Sequence, residues 1–367
     1  MPFYPQTPTK YSYNMAIQQQ LPWKMAFSIG YVGSVSRHLG RIYEAGDFYP
    51  IVQAPGATTG CTAPAIANNT CGCPPNGPAC RFWPGAGLAS KLTPSSPATN
   101  PNWSAVNGLV FDADASYNSL EATLQRSTAS GLNSRVSYTH ENCITDSSGE
   151  TTGGQQNAAS APDYTRDVHS SRGRCGFTAS DVFNLTLTYD IPGGKSFKNR
   201  FARTAVSGWQ ISSLTAVSSG IPLNVLAGIA ITRQWPNNAI TYDRPNYAPG
   251  CNAGNSINPG STSYIKSSCF VLQNPGYLGN VGANTLTGPW YFSTDMSLKK
   301  NIAFKREGMG VQLQADMFNI FNRTNFALPN SQSGAFNGSG GSNGAFGQIT
   351  GTIGTSRQIQ LGGKFSF

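Results

Sequence analysis

The stretch "DVFNLTLTYDI", residues 181–191, alternates without a break. Phe183, Leu185, Leu187, Tyr189 and Ile191 fall on one side, and Asn184, Thr186, Thr188 and Asp190 on the other. Successive strand side chains point to opposite faces, so this pattern predicts a β-strand with one apolar and one polar face. At 3.6 residues per turn a helix would mix the two sets around its circumference. Three other stretches behave alike. "MGVQLQADMFNIF" opposes Val311, Leu313, Ala315 and Met317 to Gln312, Gln314 and Asp316. "NSRVSYTHENC" opposes Val136, Tyr138 and His140 to Arg135, Ser137 and Thr139, and "WYFSTDMSLKKNIAF" places Phe292, Met296, Leu298, Ile302 and Phe304 together. Weaker alternation covers residues 11–20, 24–33, 116–128 and 207–219, and the terminal run "RQIQLGGKFSF" (357–367) completes the series. The expectation is an all-β antiparallel meander of about nine strands, with no amphipathic helix.

The connections carry as much information as the strands. Segments 34–115, 146–180, 220–289 and 323–354 are long and rich in Gly, Pro, Asn and Ser, whereas 21–23, 129–132, 192–206 and 305–308 are short. Antiparallel strands send alternate connections to opposite ends of a sheet, so every long loop lies at one end and every short turn at the other. Outer-membrane barrels have that asymmetry, with long extracellular loops and short periplasmic turns. Most runs approach the roughly 9 to 11 residues that a tilted strand needs to cross the hydrocarbon layer. Aromatics gather at the run ends, Trp23, Tyr189, Trp209, Phe304 and Phe365 towards the short turns and Tyr31, Tyr117 and Trp290 towards the loops, as in an interfacial girdle.

Composition agrees. Charged residues are 11% of the 367-residue chain, yet mean hydropathy is −0.27, because uncharged polar residues and 41 Gly supply the polarity. This suits a surface that is partly lipid and partly wet lumen, and it suits a secreted β protein equally, so composition alone does not choose. The net charge of +9 is scattered or sits in short turns, without the basic stripe that nucleic-acid binding requires, so no nucleic-acid partner is expected. The N-terminal "MPFYPQTPTK" lacks a charged segment followed by an apolar one, so it does not read as a signal peptide.

Eight cysteines, Cys61, Cys71, Cys73, Cys80, Cys143, Cys175, Cys251 and Cys269, all fall towards the long loops. They read as disulfide staples of an oxidising compartment, with the connectivity open. A zinc site in "CTAPAIANNTCGCPPNGPAC" is the weaker alternative, for want of paired CxxC spacing and a nearby His. No catalytic motif is found. Gly194-Lys195-Ser196 has Tyr189 where a phosphate-binding loop opens with Gly, and the glycine run 338–347 reads as a flexible loop. "DADAS" (112–116) reads as a turn ahead of a strand in preference to a Ca²⁺ site.

Five segments in order, "AIQQQLPWKMAFSIGYVGSVSRHLGR", "ASYNSLEATLQRSTASGLNSRVSYTHE", "SGWQISSLTAVSSGIPLNV", "DRPN" and "GPWYFSTDMSLKKNIAFKREGMGVQLQADMFNIFNRTNFALPN", together resemble the C-terminal barrel of Oar-like TonB-dependent outer-membrane receptors. The resemblance implies a barrel of about 22 strands around an N-terminal plug, with uptake driven by TonB. Residues 1–367 would then be a partial transmembrane barrel domain, its last nine strands, with plug, TonB box and signal peptide encoded before Met1. Such a segment is not transport-competent alone, since its two unpaired edges cannot be satisfied by lipid. In the family an Arg-His pair follows the segment matching "ASDVFNL"; this chain has neither residue there.

In that setting Asn184, Thr186, Thr188, Gln312, Gln314, Asp316, Gln358 and Gln360 are expected to face the lumen. Ile359, Leu361, Phe365 and Phe367 would face outer-membrane lipid and resemble the terminal signal read by the barrel-assembly machinery. The expected function is uptake of a bulky nutrient, siderophore or glycan, across a Gram-negative-type outer membrane, with no enzyme activity and no cofactor. The alternatives are a surface adhesin or structural barrel without transport, and a secreted soluble β-sandwich.

Overall fold

The computed structural model describes residues 6–44, 50–59, 61, 72–73, 75–77, 79–83, 107–129, 131–147, 167–193, 199–229, 231–232, 243–304, 309–331 and 334–367. Nine long strands form one antiparallel sheet: β1 (Thr9–Leu21), β2 (Met25–Glu44), β3 (Asn107–Ala129), β4 (Leu132–Thr145), β5 (Asp181–Asp190), β6 (Trp209–Ser218), β7 (Tyr291–Ala303), β8 (Gly310–Phe318) and β9 (Gln358–Ser366). Each pairs with the next in sequence, so the sheet is a meander, and a two-residue strand, Gly173–Arg174, adds to the loop end of β4. Among the described residues β1 and β9 each have one partner, which leaves the sheet open with two edges. The expected nine-strand meander is therefore present.

The register runs unbroken from β4 to β9. Paired residues share a face, so one row can be followed across the sheet: Arg135, Thr186, Leu214, Asp295, and one pair further along Ser297, Asp316 and Gln360. The other face carries Val136, Leu185, Thr215, Met296, Met317 and Ile359. Alternation in the sequence thus becomes two chemically distinct faces.

Two strands exceed the expectation. β2 has 20 residues and β3 has 23, so they run well past membrane length into what was expected to be the loop 34–115. Ion pairs hold the extension. Arg41 grips Asp112 through Nε (2.6 Å) and Nη2 (2.8 Å), and Arg37 pairs with Asp114. "DADAS" is consequently strand, not turn.

The connection 192–206 contains a short helix, α1 (Arg200–Val206), where only a turn was expected. Asn199 caps it by accepting from the Phe201 amide at 2.8 Å. Seven residues are too few for helical periodicity to register in the sequence. Lys195 and Ser196 lie outside the described residues.

The apolar core sits in the loops. Leu223, Val225, Tyr264, Ile265, Phe270, Val281, Leu286, Ala335, Phe346 and Ile349 form one buried cluster. Phe270 and Phe346 meet edge to face at 5.7 Å between ring centroids. The segment 338–347 meets this body at Phe346, while most of 338–345 is exposed. The Asn337 side chain accepts from the amides of Ser339 and Gly341, both at 3.0 Å, and Phe346 is buried. At Gly334 an added Cβ would stand 2.2 Å from the Gly228 Cα, so the two loop segments touch backbone to backbone.

Candidate functional site

All eight residues expected to face a lumen share one face of the sheet. Thr188 pairs with Ser212, Ser297 with Asp316, Lys299 with Gln314 and Asn301 with Gln312; Phe318 and Asp316 pair with Gln358 and Gln360. The same face continues into β4, β3, β2 and β1 through Ser137, Thr123, Ser28 and Gln18. Polar side chains along it bond to one another: Thr188 Oγ1 to Ser212 Oγ (3.3 Å), Gln312 Nε2 to Asn301 Oδ1 (3.0 Å), Gln210 Nε2 to Asp190 Oδ1 (2.7 Å), and Gln314 Nε2 to both Asp316 oxygens (2.8 Å each). Such a wall can exchange hydrogen bonds with water or a passing polar molecule. A cavity of about 280 Å³ opens on this face beneath the last long loop, with Tyr291, Asp295, Phe318 and Gln358 on its walls.

The opposite face is mainly apolar at mid-strand, with Ser213 and the hydrogen-bonded pair Thr215 and Thr294 (3.0 Å) as polar exceptions, and it becomes more polar towards its ends. Near the loop end, Tyr13 and Tyr31 both donate to Asn118 Oδ1 (2.9 and 2.8 Å), with their rings stacked at 6.2 Å. Nearby, Tyr138 Oη donates to Asp181 Oδ1 (2.7 Å), which also meets His140 Nδ1 (2.8 Å). At the short-turn end, the Lys300 ammonium donates to the Thr204, Ala205 and Ser207 carbonyls and stacks on Trp209. Tyr31, Tyr189, Trp209 and Phe365 stand on this face as the girdle reading requires. Tyr117 does not. It pairs with Ser34 and Cys143 on the polar face, and Tyr13 takes the girdle place beside Tyr31. The alternation around Tyr13 was visible in the sequence, but its Asn118 partner, 105 residues away, was not.

Above the polar wall the loops interlock. Tyr277 Oη donates to Gln53 Oε1 (3.0 Å) and Thr59 O (2.5 Å), and the Trp83 amide donates to Gly276 O (2.9 Å). Asp243 is fully buried and accepts from the amides of Ile231 (2.8 Å) and Thr232 (2.9 Å), the Thr232 hydroxyl (2.7 Å) and Gln273 Nε2 (3.2 Å). Burial pushes its carboxyl up, against these donors and the neighbouring Arg244 charge. Disulfides join Cys73 to Cys80, Cys143 to Cys175 and Cys251 to Cys269. Cys61 is also disulfide-bonded, and Cys71 lies outside the described residues.

A family model described as "Outer membrane beta barrel domain" matches residues 1–360. The chain belongs to that family. The nine-strand sheet, with its polar and mainly apolar faces, is thus part of an outer-membrane β-barrel domain. No curated protein matches the sequence. Among solved structures, the chain is similar to the outer membrane transporter YddB from Escherichia coli, at 8% identity and a TM-score of 0.46 over 99% of this chain and 33% of that one. It is also similar to FpvAI in a complex with pyocin S2 (11%, TM-score 0.40, 98% and 26% of the two chains). A third is P. aeruginosa FpvA bound to heterologous pyoverdines (10%, TM-score 0.38, 98% and 27%). The barrel domain thus spans about a third or less of the solved chains that it matches.

Proposed function

We propose that this domain is the C-terminal wall and loop cap of a TonB-dependent outer-membrane transporter that takes up a bulky nutrient of the siderophore or glycan class. The observation that carries the reading is the largely polar face that runs across all nine strands, backed by a mainly apolar one. A sheet with a wet side and a lipid side needs an enclosed aqueous space, and its two free edges need further strands, because lipid cannot satisfy backbone groups. The sequence resemblance to Oar-like receptors supports a plug inside that space and TonB as the energy source. In this reading the long loops are extracellular and capture ligand, pulling on the plug opens a path, and the polar wall passes the ligand inward by transient hydrogen bonds. Outer-membrane lipid, the barrel-assembly machinery, the plug and TonB are the partners it calls for.

The test is growth of cells whose gene for the whole protein is deleted, on a panel of ferric siderophores under iron limitation and of glycans as sole carbon source. Loss of growth on one compound, reproduced by removing TonB, is the expected result. Uptake that survives without TonB would overturn the energy-coupled mechanism. A surface adhesin or structural barrel is the second reading, favoured by a cap that is both disulfide-stapled and packed around its own apolar core. Normal growth on every compound, together with lost surface attachment, would select it.

A further inference from the structure

The short-turn rim of the lipid-facing side carries features that a transport wall does not use. Helix α1 lies back over this side of the sheet. The Trp209 indole donates to Ala205 O at 2.8 Å, and Lys300 Nζ, 4.9 Å from the Trp209 ring centre, donates to the last carbonyls of the helix. Trp209 and Lys300 pair with each other and rise from the apolar face, so the helix end is pinned on the lipid side and not in the lumen. The exposed surface of α1 then presents Phe201, 87% exposed, and Arg203, whose guanidinium has no partner among the described residues.

A second cation stands on the same face three strands away. Arg126, near the short-turn end of β3, has a buried Nε without a hydrogen-bond partner. Its neighbours across the ladders are Met25 and Ser134, so the sheet offers it no carboxylate. The sequence reinforces the charge: "KSFKNRFAR", residues 195–203, holds four cations and no anion.

We propose that this rim is a headgroup-binding surface for anionic phospholipid in the leaflet at the short-turn end. Arg126 and Arg203 would hold phosphate, and Phe201 would anchor α1 at the acyl boundary. A guanidinium at headgroup depth without a protein counter-ion is stabilised by phosphate, which it can bind through two parallel N–H donors. A short helix with an exposed aromatic and a basic flank suits the interfacial plane. Lys300 is a positioning residue, since its donors are spent on the helix carbonyls.

The experiment places the whole protein carrying this domain in nanodiscs of equimolar phosphatidylglycerol and phosphatidylcholine, then counts the phospholipids retained after mild detergent extraction. Wild type should retain phosphatidylglycerol in excess. Arg203→Gln should lower the excess about fivefold, the weight of one surface cation on an anionic leaflet, and Arg203→Lys should largely keep it. Because α1 lies on the surface, Arg203→Gln leaves the sheet intact, which an unchanged heat-dependent gel shift would verify; Arg126→Gln is the second variant. Wild type at the input ratio would overturn the proposal. So would an excess unaltered in both Gln variants, which would assign the rim to contact with a protein instead.

Discussion

Arg174 and Asn284 bind each other reciprocally across 110 residues of sequence: Arg174 Nε donates to Asn284 O at 3.1 Å, and Asn284 Nδ2 donates back to Arg174 O at 2.7 Å. The same guanidinium donates to the carbonyls of Thr285 (2.8 Å) and Leu286 (2.7 Å) and to the Thr287 hydroxyl (3.2 Å). One side chain thereby ties the loop beside the Cys143–Cys175 disulfide to the segment that enters the apolar core at Leu286. Arg174→Ala would orphan several buried acceptors at once and should destabilise the cap by about 2–3 kcal/mol. Amide exchange should quicken at residues 283–287 and stay unchanged in β5 and β6. Equal protection in both proteins would refute the role of this pair.

The Cys251–Cys269 bridge closes an 18-residue separation beside the core. Constraining a loop of that size contributes about 3 kcal/mol in the chain-entropy view. The double variant Cys251→Ser/Cys269→Ser should lose protease resistance in 245–289 while keeping its membrane sheet. A non-reducing gel of the two proteins checks the bridge itself, which should disappear in the variant as a mobility change.

Gly33 in β2 lies directly opposite Tyr13 in β1, and the ring fills the space above it: an added Cβ would sit 2.2 Å from the Tyr13 Cε2. Any side chain at 33 must push the ring away and break its bond to Asn118. Gly33→Leu should therefore cost about 1–3 kcal/mol, as overpacking typically does, and should shift Tyr13 fluorescence towards that of a solvated phenol. Gly30, three residues earlier and on the other face, meets nothing closer than 3.6 Å, so Gly30→Ala is the control and should be nearly neutral.

How much of this was legible in the sequence depends on range. Alternation acts between neighbours two residues apart, so the nine strands and their two faces, from Gln18 to Gln360, could be read directly. The girdle was mostly readable for the same reason, and Tyr117 was misplaced because proximity to a strand end says nothing about parity. The loop core could not be read. Leu223, Phe270 and Phe346 have no common period; they meet because turns at Gly228 and Gly334 let distant segments touch. Helix α1 escaped notice because its seven residues are too few for periodicity, and its C-terminal end is held mainly by tertiary bonds to Trp209 and Lys300.

Ile359, Leu361 and Phe365 line the apolar face of β9, opposite Met317, Ala315 and Val311, and Phe367 stacks on Phe365 at 6.0 Å. The Phe367 ring is 95% exposed, so it contributes little to the folded sheet. If these side chains are read by the barrel-assembly machinery, as the resemblance implies, Phe367→Ala should reduce the amount of protein reaching the outer membrane several-fold. The thermal stability of the inserted fraction should not change. Equal outer-membrane levels in the two proteins would remove the assembly role.

Tyr264 supplies a pH signature confined to the cap. Its ring is buried in the loop core, its hydroxyl donates to Thr287 O at 2.9 Å, and burial pushes the phenol from 10.0 up to about 12. The folded cap therefore holds this proton more tightly than the unfolded chain does. That contribution is complete below about pH 10 and is lost as pH rises through about 12; two pH units correspond to roughly 3 kcal/mol. Tyr277 shifts in the same direction, again through burial, and steepens the loss. Wild type should show the cap opening in alkali before the sheet does, read as faster amide exchange at 264–287 between pH 10 and 12. Tyr264→Phe gives up a hydrogen bond, about 1 kcal/mol at neutral pH, but has no proton to lose. Its cap stability should be flatter across that window, and a slope as steep as wild type would show that another group governs the alkaline transition.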